Sequence, residues 1–328
     1  MGEKTAIAWT TSTFNPWKIC TPIGPGCLNC YAAALSRRYG WGEYAQGVPR
    51  QRTTEAYWKQ PLKWNMAQGM ALDAWQAGAV PEPEPWRVFC ASLADVFDNE
   101  VPSEWRYDLW RLIEATPNLS WLLVTKRVGN VVGMIPVNWE KRFPDHVRLL
   151  ITVCNEEEAQ RDVRRLLALP CKNGISYEPA LGPVDWSPWL HVVPHFRTTV
   201  SARDGEPVGP TTSGWIQSYN VRTREPILPE LQWVICGGES TQGAGKARPM
   251  HLSWATSTRD QCSAAGVPFF FKQGGSNVVC THAELERMPT ITNIENAGPG
   301  LWRKVFKDRA GADPSEWEES LRVQEFPE

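Results

Sequence analysis

The feature that most constrains this 328-residue chain is a series of short apolar runs, each followed by charged or amide residues. Residues 6–9 (AIAW) lead into a polar loop that holds three cysteines. Residues 87–90 (RVFC) are followed by Ser92 and Asp95, residues 121–124 (WLLV) by Thr125, Lys126 and Arg127, and residues 149–153 (LLITV) by Cys154, Asn155 and Glu156. Residues 174–177 (GISY) precede Glu178, residues 233–236 (WVIC) precede Gly237, Gly238 and Glu239, and residues 268–271 (PFFF) precede Lys272 and Gln273. Apolar runs without alternation read as strands buried on both faces.

Helical patterns lie between several of these runs. Residues 103–115 place Trp105, Leu109, Leu112 and Ile113 on one face, and residues 156–169 group Val163, Leu166 and Leu167. Residues 251–265 start beside Pro249 and stop at Gly266, a residue suited to the left-handed turn after a helix. Strands alternating with helices imply parallel βα units. Seven such strands predict an α/β fold, a complete or partial (β/α) barrel, with an active site at the carboxyl ends of the strands. The polar residues that end each strand would then wall the cavity: Ser92, Asp95, Lys126, Asn155, Glu178, Gly237, Gly238, Glu239 and Lys272.

Two stretches break the rhythm. Residues 66–86 end in Pro81, Pro83 and Pro85 and read as a stiff connector. Residues 186–230, rich in Pro, Ser, Thr and Gly, read as an insertion or lid over one end of the barrel. The expected division is a barrel domain over residues 1–290 and a C-terminal extension over 291–328, polar and helical at best.

The segment FNPWKICTPIGPGCLNCYA carries Cys20, Cys27 and Cys30 in a C-x6-C-x2-C pattern, within a loop rich in Pro and Gly. The N-terminus has no secretory signal pattern and no apolar run approaches a membrane span, so a cytoplasmic location is expected, where thiols stay reduced. Nine cysteines in that setting favour a metal or redox site over a disulfide scaffold. Three thiolates suit two readings. One is a structural zinc site closed by a distant fourth ligand, such as Cys90, Cys154 or a histidine. The other is an iron–sulfur cluster with one iron left open.

Together with CASLADVF, WLLVTKR, ITVCNEEEAQRDVRRL, ISYEPALGPV, WVICGGESTQGAGKARPMHLSW and QCSAAGVPFFFKQGG, the cysteine loop resembles a phage-associated family with a three-cysteine motif, known as a domain of unknown function. That family is similar to radical SAM enzymes. The resemblance implies a barrel of the radical SAM type, with Cys20, Cys27 and Cys30 holding a 4Fe–4S cluster whose fourth iron chelates S-adenosyl-L-methionine. It further implies an external electron donor and hydrogen abstraction from a nucleobase-type substrate. One form would be isomerisation of an amino-acid adduct on thymine in hypermodified phage DNA; another would be a pyrimidine photoproduct lyase. The usual spacing in that superfamily is C-x3-C-x2-C, whereas the first gap here is six residues. The Gly237-Gly238-Glu239 triplet resembles the superfamily's GGE element, which meets the SAM amino group, but it follows the sixth strand and not the second.

Other candidates follow from residue chemistry. Glu178, Glu239 and Lys272 are acid, base or ligand-contacting candidates, or partners in structural ion pairs. Asp95 suits a helix cap or a polar ligand. Residues 243–249 (GAGKARP) do not satisfy the phosphate-loop pattern, which argues against a P-loop nucleoside triphosphatase and leaves a backbone turn approaching a cofactor as the other reading. The net charge of −2 gives no global attraction to nucleic acid. A local stretch containing Arg37, Arg38, Arg50 and Arg52 among Tyr39, Trp41, Tyr44, Tyr57 and Trp58 suits phosphate and base contacts, or a solvated face over core aromatics. A zinc-stabilised nucleic-acid-binding or nuclease-type protein is therefore the competing reading. His191 and His195 flank Pro194 and read as loop residues, and the six cysteines outside the loop read as buried apolar residues.

Overall fold

A computed structural model describes residues 5–190, 230–242, 246–287 and 291–327. Seven strands form its main sheet: β1 (Ser12–Phe14), β2 (Trp86–Cys90), β3 (Leu119–Thr125), β4 (Val147–Thr152), β5 (Lys172–Tyr177), β6 (Val234–Gly237) and β7 (Phe269–Gln273). Every neighbouring pair is parallel, and spatial order follows chain order from β1 to β7. The two end strands are not neighbours, so the fold is an α/β half-barrel with helices packed outside it.

Strand register explains why the apolar runs do not alternate. Phe89, Leu122, Leu150, Ile235 and Phe270 point to the concave side and form one apolar cluster with Trp9 and Trp233. Their neighbours Cys90, Leu123, Leu149, Cys236 and Phe271 point outward into the larger core shared with the helices. Both faces are thus desolvated, and each fully buried large side chain contributes ~1.5–3 kcal/mol. The principal helices are α1 (Tyr31–Tyr39), α2 (Gln60–Gln76), α3 (Ser103–Glu114), α4 (Glu156–Leu167) and α5 (Leu252–Ala265). Gly266 ends α5 at φ 67°, the left-handed conformation predicted for it.

The structure differs from the sequence reading at three places. Residues 6–9 are not the first strand; Ser12–Phe14 is. Trp9 instead plugs the barrel interior, 4.8 Å from the ring of Phe89 and 6.4 Å from that of Trp233. The connector at 66–86 is helical through Gln76, where α2 ends, and only the segment beyond it carries the prolines. The C-terminal stretch is not helical: Ile294–Gly298 and Leu301–Lys304 join Val278–Thr281 and Met250–His251 in a four-stranded sheet. The tail then runs along β7, with Glu325 N donating to Phe269 O at 3.0 Å, and Phe326 packs edge-on against Phe270 and tilted against Trp233.

Residues 191–229, which hold most of the expected insertion together with His191 and His195, lie outside the described residues. Its flanks are placed: Leu231 N donates to Trp189 O, and Gln232 accepts from Asn173 N at the start of β5. The chain therefore leaves and returns at the amino ends of the strands. Among the described residues, no helix is long and apolar enough to cross a membrane.

Candidate functional site

The cysteine loop lies over the carboxyl ends of the strands. After β1 the chain makes a two-residue strand, Trp17–Lys18, paired antiparallel with Gln51–Arg52, and reaches Cys20. A short turn over Pro25–Cys27 carries the second cysteine, and Cys30 is the N-cap of α1. All three thiols are free and half-buried. Cys20 is pushed up by burial, and Asp95, Cys30 and Cys27 reinforce this while Arg127 opposes it, so the three sulfurs lie within electrostatic reach of one another. Two buried residues beside the site hold left-handed backbone without being glycine: Ile19 at φ 76° and Ala91 at φ 65°. Such conformations cost ~1–3 kcal/mol each and persist only where surrounding contacts impose them.

The floor beneath the loop is made by β3 and β4. A Cβ at Gly26 would come within 2.6 Å of Cys154 Sγ and 3.3 Å of Lys126 Cε, so only glycine allows the loop to rest there. Lys126 is half-buried, and its Nζ meets Thr152 Oγ1 at 3.4 Å. No carboxylate pairs with it among the described residues. Burial works to lower its pKa, but Cys27, Cys154, Cys30 and Asp95 outweigh that and hold it above the ordinary lysine value. A buried cation needs a compensating anion. The acidic groups that act on it here are Cys27, Cys154, Cys30 and Asp95.

Glu178 and Lys272, ending β5 and β7, form an ion pair of 2.7 Å across the mouth. The other carboxylate oxygen of Glu178 accepts from Ser176 Oγ at 3.3 Å. Both side chains keep partial solvent contact, which leaves the pair able to meet a ligand.

Glu239 is placed differently. Its Oε2 accepts from Asn29 Nδ2 at 2.8 Å, between Cys27 and Cys30, and from the backbone N of Arg248 at 2.8 Å. Arg248 adds Nε to Oε2 at 3.1 Å and sends Nη1 to Pro25 O at 2.8 Å. Burial opposes ionisation of Glu239, and the bonds from Arg248 and Asn29 override it, holding the carboxyl below its usual range. Glu239 therefore fastens the cysteine loop to β6. Gly238 permits this because a Cβ there would sit 2.0 Å from Gly274 O. The backbones of Gly237 and Gly238 are engaged by Ala180 N and Gln273 O.

Three other predicted wall residues serve the scaffold. Asp95 caps no helix: it accepts from Phe97 N, Thr125 Oγ1, Lys126 N and Arg127 Nη1 at 2.8–3.0 Å. Asn155 caps α4 by accepting from Glu158 N at 3.0 Å, while Glu158 accepts from Cys154 N at 2.9 Å. This reciprocal cap orders the chain beside Cys154. Ser92 Oγ bonds the side chain of Asn15, and its carbonyl accepts from Tyr31 next to Cys30.

The basic stretch divides. Arg50 is corrected from a nucleic-acid contact to an internal strut: its side chain is fully buried, bound to Asp98 at 2.7 Å and to Thr21 Oγ1 at 2.6 Å beside Cys20. Arg52 lies over the Trp58 ring and pairs with Asp108 at 2.8 Å. Arg37 and Arg38 are exposed in the last turn of α1. Outside the loop, Cys90, Cys154, Cys236, Cys262 and Cys280 are buried and Cys171 is half-buried.

Sequence reasoning missed Arg248, and it left Cys154 open between a fourth ligand and a buried apolar residue without placing it inward. That placement was legible by counting in twos from Leu150 along β4; Arg248 had no local signal. Among the described residues, no three His, Cys, Asp or Glu side chains converge tightly enough to hold a single metal ion.

A half-barrel with a cysteine loop over the carboxyl ends of its strands defines the class of molecule. The chain belongs to the DUF5131 family, described as a protein of unknown function, whose family model matches residues 4–319. Comparisons with curated proteins and with solved structures returned no match.

Proposed function

We propose that this protein is a radical SAM enzyme in which Cys20, Cys27 and Cys30 hold a 4Fe–4S cluster. The observation that carries the reading is the position of three half-buried thiols over the carboxyl ends of a parallel half-barrel, beside Lys126, whose ammonium has no carboxylate at ion-pair distance among the described residues. The donor set suits the group. Thiolates are the ligands iron–sulfur clusters take. Three thiolates in one loop suit a cluster with one corner left open, whereas a closed structural zinc site takes four ligands. A thiolate-bound cluster is an anion, which gives Lys126 its counter-charge.

When bound, the cluster would supply reductive cleavage of S-adenosyl-L-methionine, with an external donor as electron source and hydrogen abstraction as outcome. The chain's own residues bind and orient. Glu239, Arg248 and Asn29 fix the loop, Asp95 and Arg127 fix the turn after β3, and the Glu178–Lys272 pair presents both charges to a zwitterionic or anionic ligand. The strand-end aromatic and aliphatic layer beneath excludes water from below. The nucleobase substrate class rests on the phage-family resemblance alone.

Anaerobic reconstitution with iron and sulfide tests the reading. A brown protein that converts S-adenosyl-L-methionine to 5′-deoxyadenosine on reduction is the expected result. A colourless, zinc-loaded protein without cleavage would overturn it.

A further inference from the structure

A second chamber lies at the other end of the barrel. It is a cavity of about 340 Å³ at the amino ends of the strands, separated from the cysteine loop by the apolar layer of Phe89, Leu122, Leu150, Ile235 and Phe270. Four consecutive strands each contribute their first inward-facing residue to it: Arg87 from β2, Ser120 from β3, Arg148 from β4 and Lys172 from β5. Three of these are cations, on β2, β4 and β5, and the carboxylates in the lining, Glu82 and Asp145, come from outside the strands.

Arg148 is the informative one. It is 7% exposed, yet has no carboxylate partner among the described residues. Its Nη1 donates to Asn173 O at 2.8 Å and to Gln232 Oε1 at 3.0 Å, which orients the guanidinium and leaves Nε and Nη2 without acceptors among the described residues. Burial pushes its pKa down to about 10, so it stays charged at neutral pH. Arg87 lies 3.8 Å over the ring of Phe326 and, among the described residues, pairs with the exposed Glu84 alone, at 3.7 Å. The chamber's inner wall is apolar, formed by Leu122 and Trp233. A desolvated guanidinium with a free edge calls for a bidentate oxyanion, and an apolar wall for a flat or hydrocarbon body.

We propose that this chamber binds a small phosphate monoester, its phosphate on Arg148, Arg87 and Lys172 and its organic body against Leu122 and Trp233. The site is remote from the thiols and does not rest on the chemistry proposed for them. Its residues span β2 to β5, so occupancy would brace four strands together.

Calorimetric titration of the full chain with adenosine 5′-monophosphate tests this, with inorganic phosphate and adenosine as separate arms. The monophosphate is expected to bind at least tenfold more tightly than either arm. Arg148→Met is expected to weaken it tenfold or more, as loss of charge-assisted hydrogen bonds does. Because Arg148 also bonds Asn173 and Gln232, Lys172→Gln at the exposed rim provides a variant that keeps the fold, with an expected severalfold loss. No binding of any probe, or binding unchanged in both variants, would overturn the proposal. Equal affinity for inorganic phosphate and the monophosphate would overturn the role given to Leu122 and Trp233.

Discussion

Arg248 Nη1 donates to the carbonyl oxygen of Pro25 at 2.8 Å, joining positions 223 residues apart in the chain. The same guanidinium holds Glu239, and Glu239 holds Asn29. The loop bearing Cys27 and Cys30 is thus fixed from outside its own sequence neighbourhood. Arg248→Met should leave Glu239 buried without its main partner and cost about 2–4 kcal/mol of stability. Urea unfolding should show the loss, and reconstituted protein should retain less iron than wild type.

The same clamp sets an acid limit. Glu239 has a folded-state pKa below its ordinary value of 4.5, so its contribution is fully present above that value and is lost as pH falls through the depressed one. Stability should therefore decline below about pH 4.5. Glu239→Gln should be less stable at pH 7 and lose less on acidification, measured by thermal unfolding across pH 3–7.

Cys27→Ala should fold with unchanged far-ultraviolet circular dichroism, because Cys27 is half-buried and joins no core cluster. After anaerobic reconstitution it should lack visible absorption and produce no 5′-deoxyadenosine. Unfolding of this variant would favour a structural metal.

Lys126→Met separates charge from packing. The aliphatic stem is kept over Gly26 while the ammonium is lost. Removing a cation beside a redox centre favours its oxidised form, so the reduction potential of the reconstituted protein should become more negative. An unchanged potential would mean that Lys126 does not face the centre.

For Glu178 and Lys272, a double-mutant cycle of Glu178→Gln and Lys272→Met should return a coupling of about 1 kcal/mol in stability, modest because both side chains retain solvent contact. Both single variants should keep iron content and lose turnover, measured as 5′-deoxyadenosine formed.

The strands β2 to β7 were legible because burial on both faces writes itself as uninterrupted apolar runs. The first strand was not, since Ser12–Phe14 holds one large apolar residue, whereas Trp9 lies in a more apolar stretch that serves the interior. The cysteine loop was visible from spacing and composition. Its fastening was hidden, because the carboxylate at Glu239 and the guanidinium at Arg248 find the loop only after six strands have been laid down. Arg50 misled for a related reason: a basic residue among aromatics reads as surface until its acidic partner, here Asp98, is known.

The sheet's first and last strands do not pair, so backbone hydrogen bonds alone leave the barrel unclosed. The loop after β1 and the segment after β6 bridge that seam through Asn29, Pro25, Glu239 and Arg248. Binding of a group at the thiols would therefore be thermodynamically linked to closure of the seam. Whatever free energy the bound group gives to ordering the loop is returned in equal measure as a tightened mouth, and a mouth drawn shut by a ligand at β6 and β7 must hold that group more firmly.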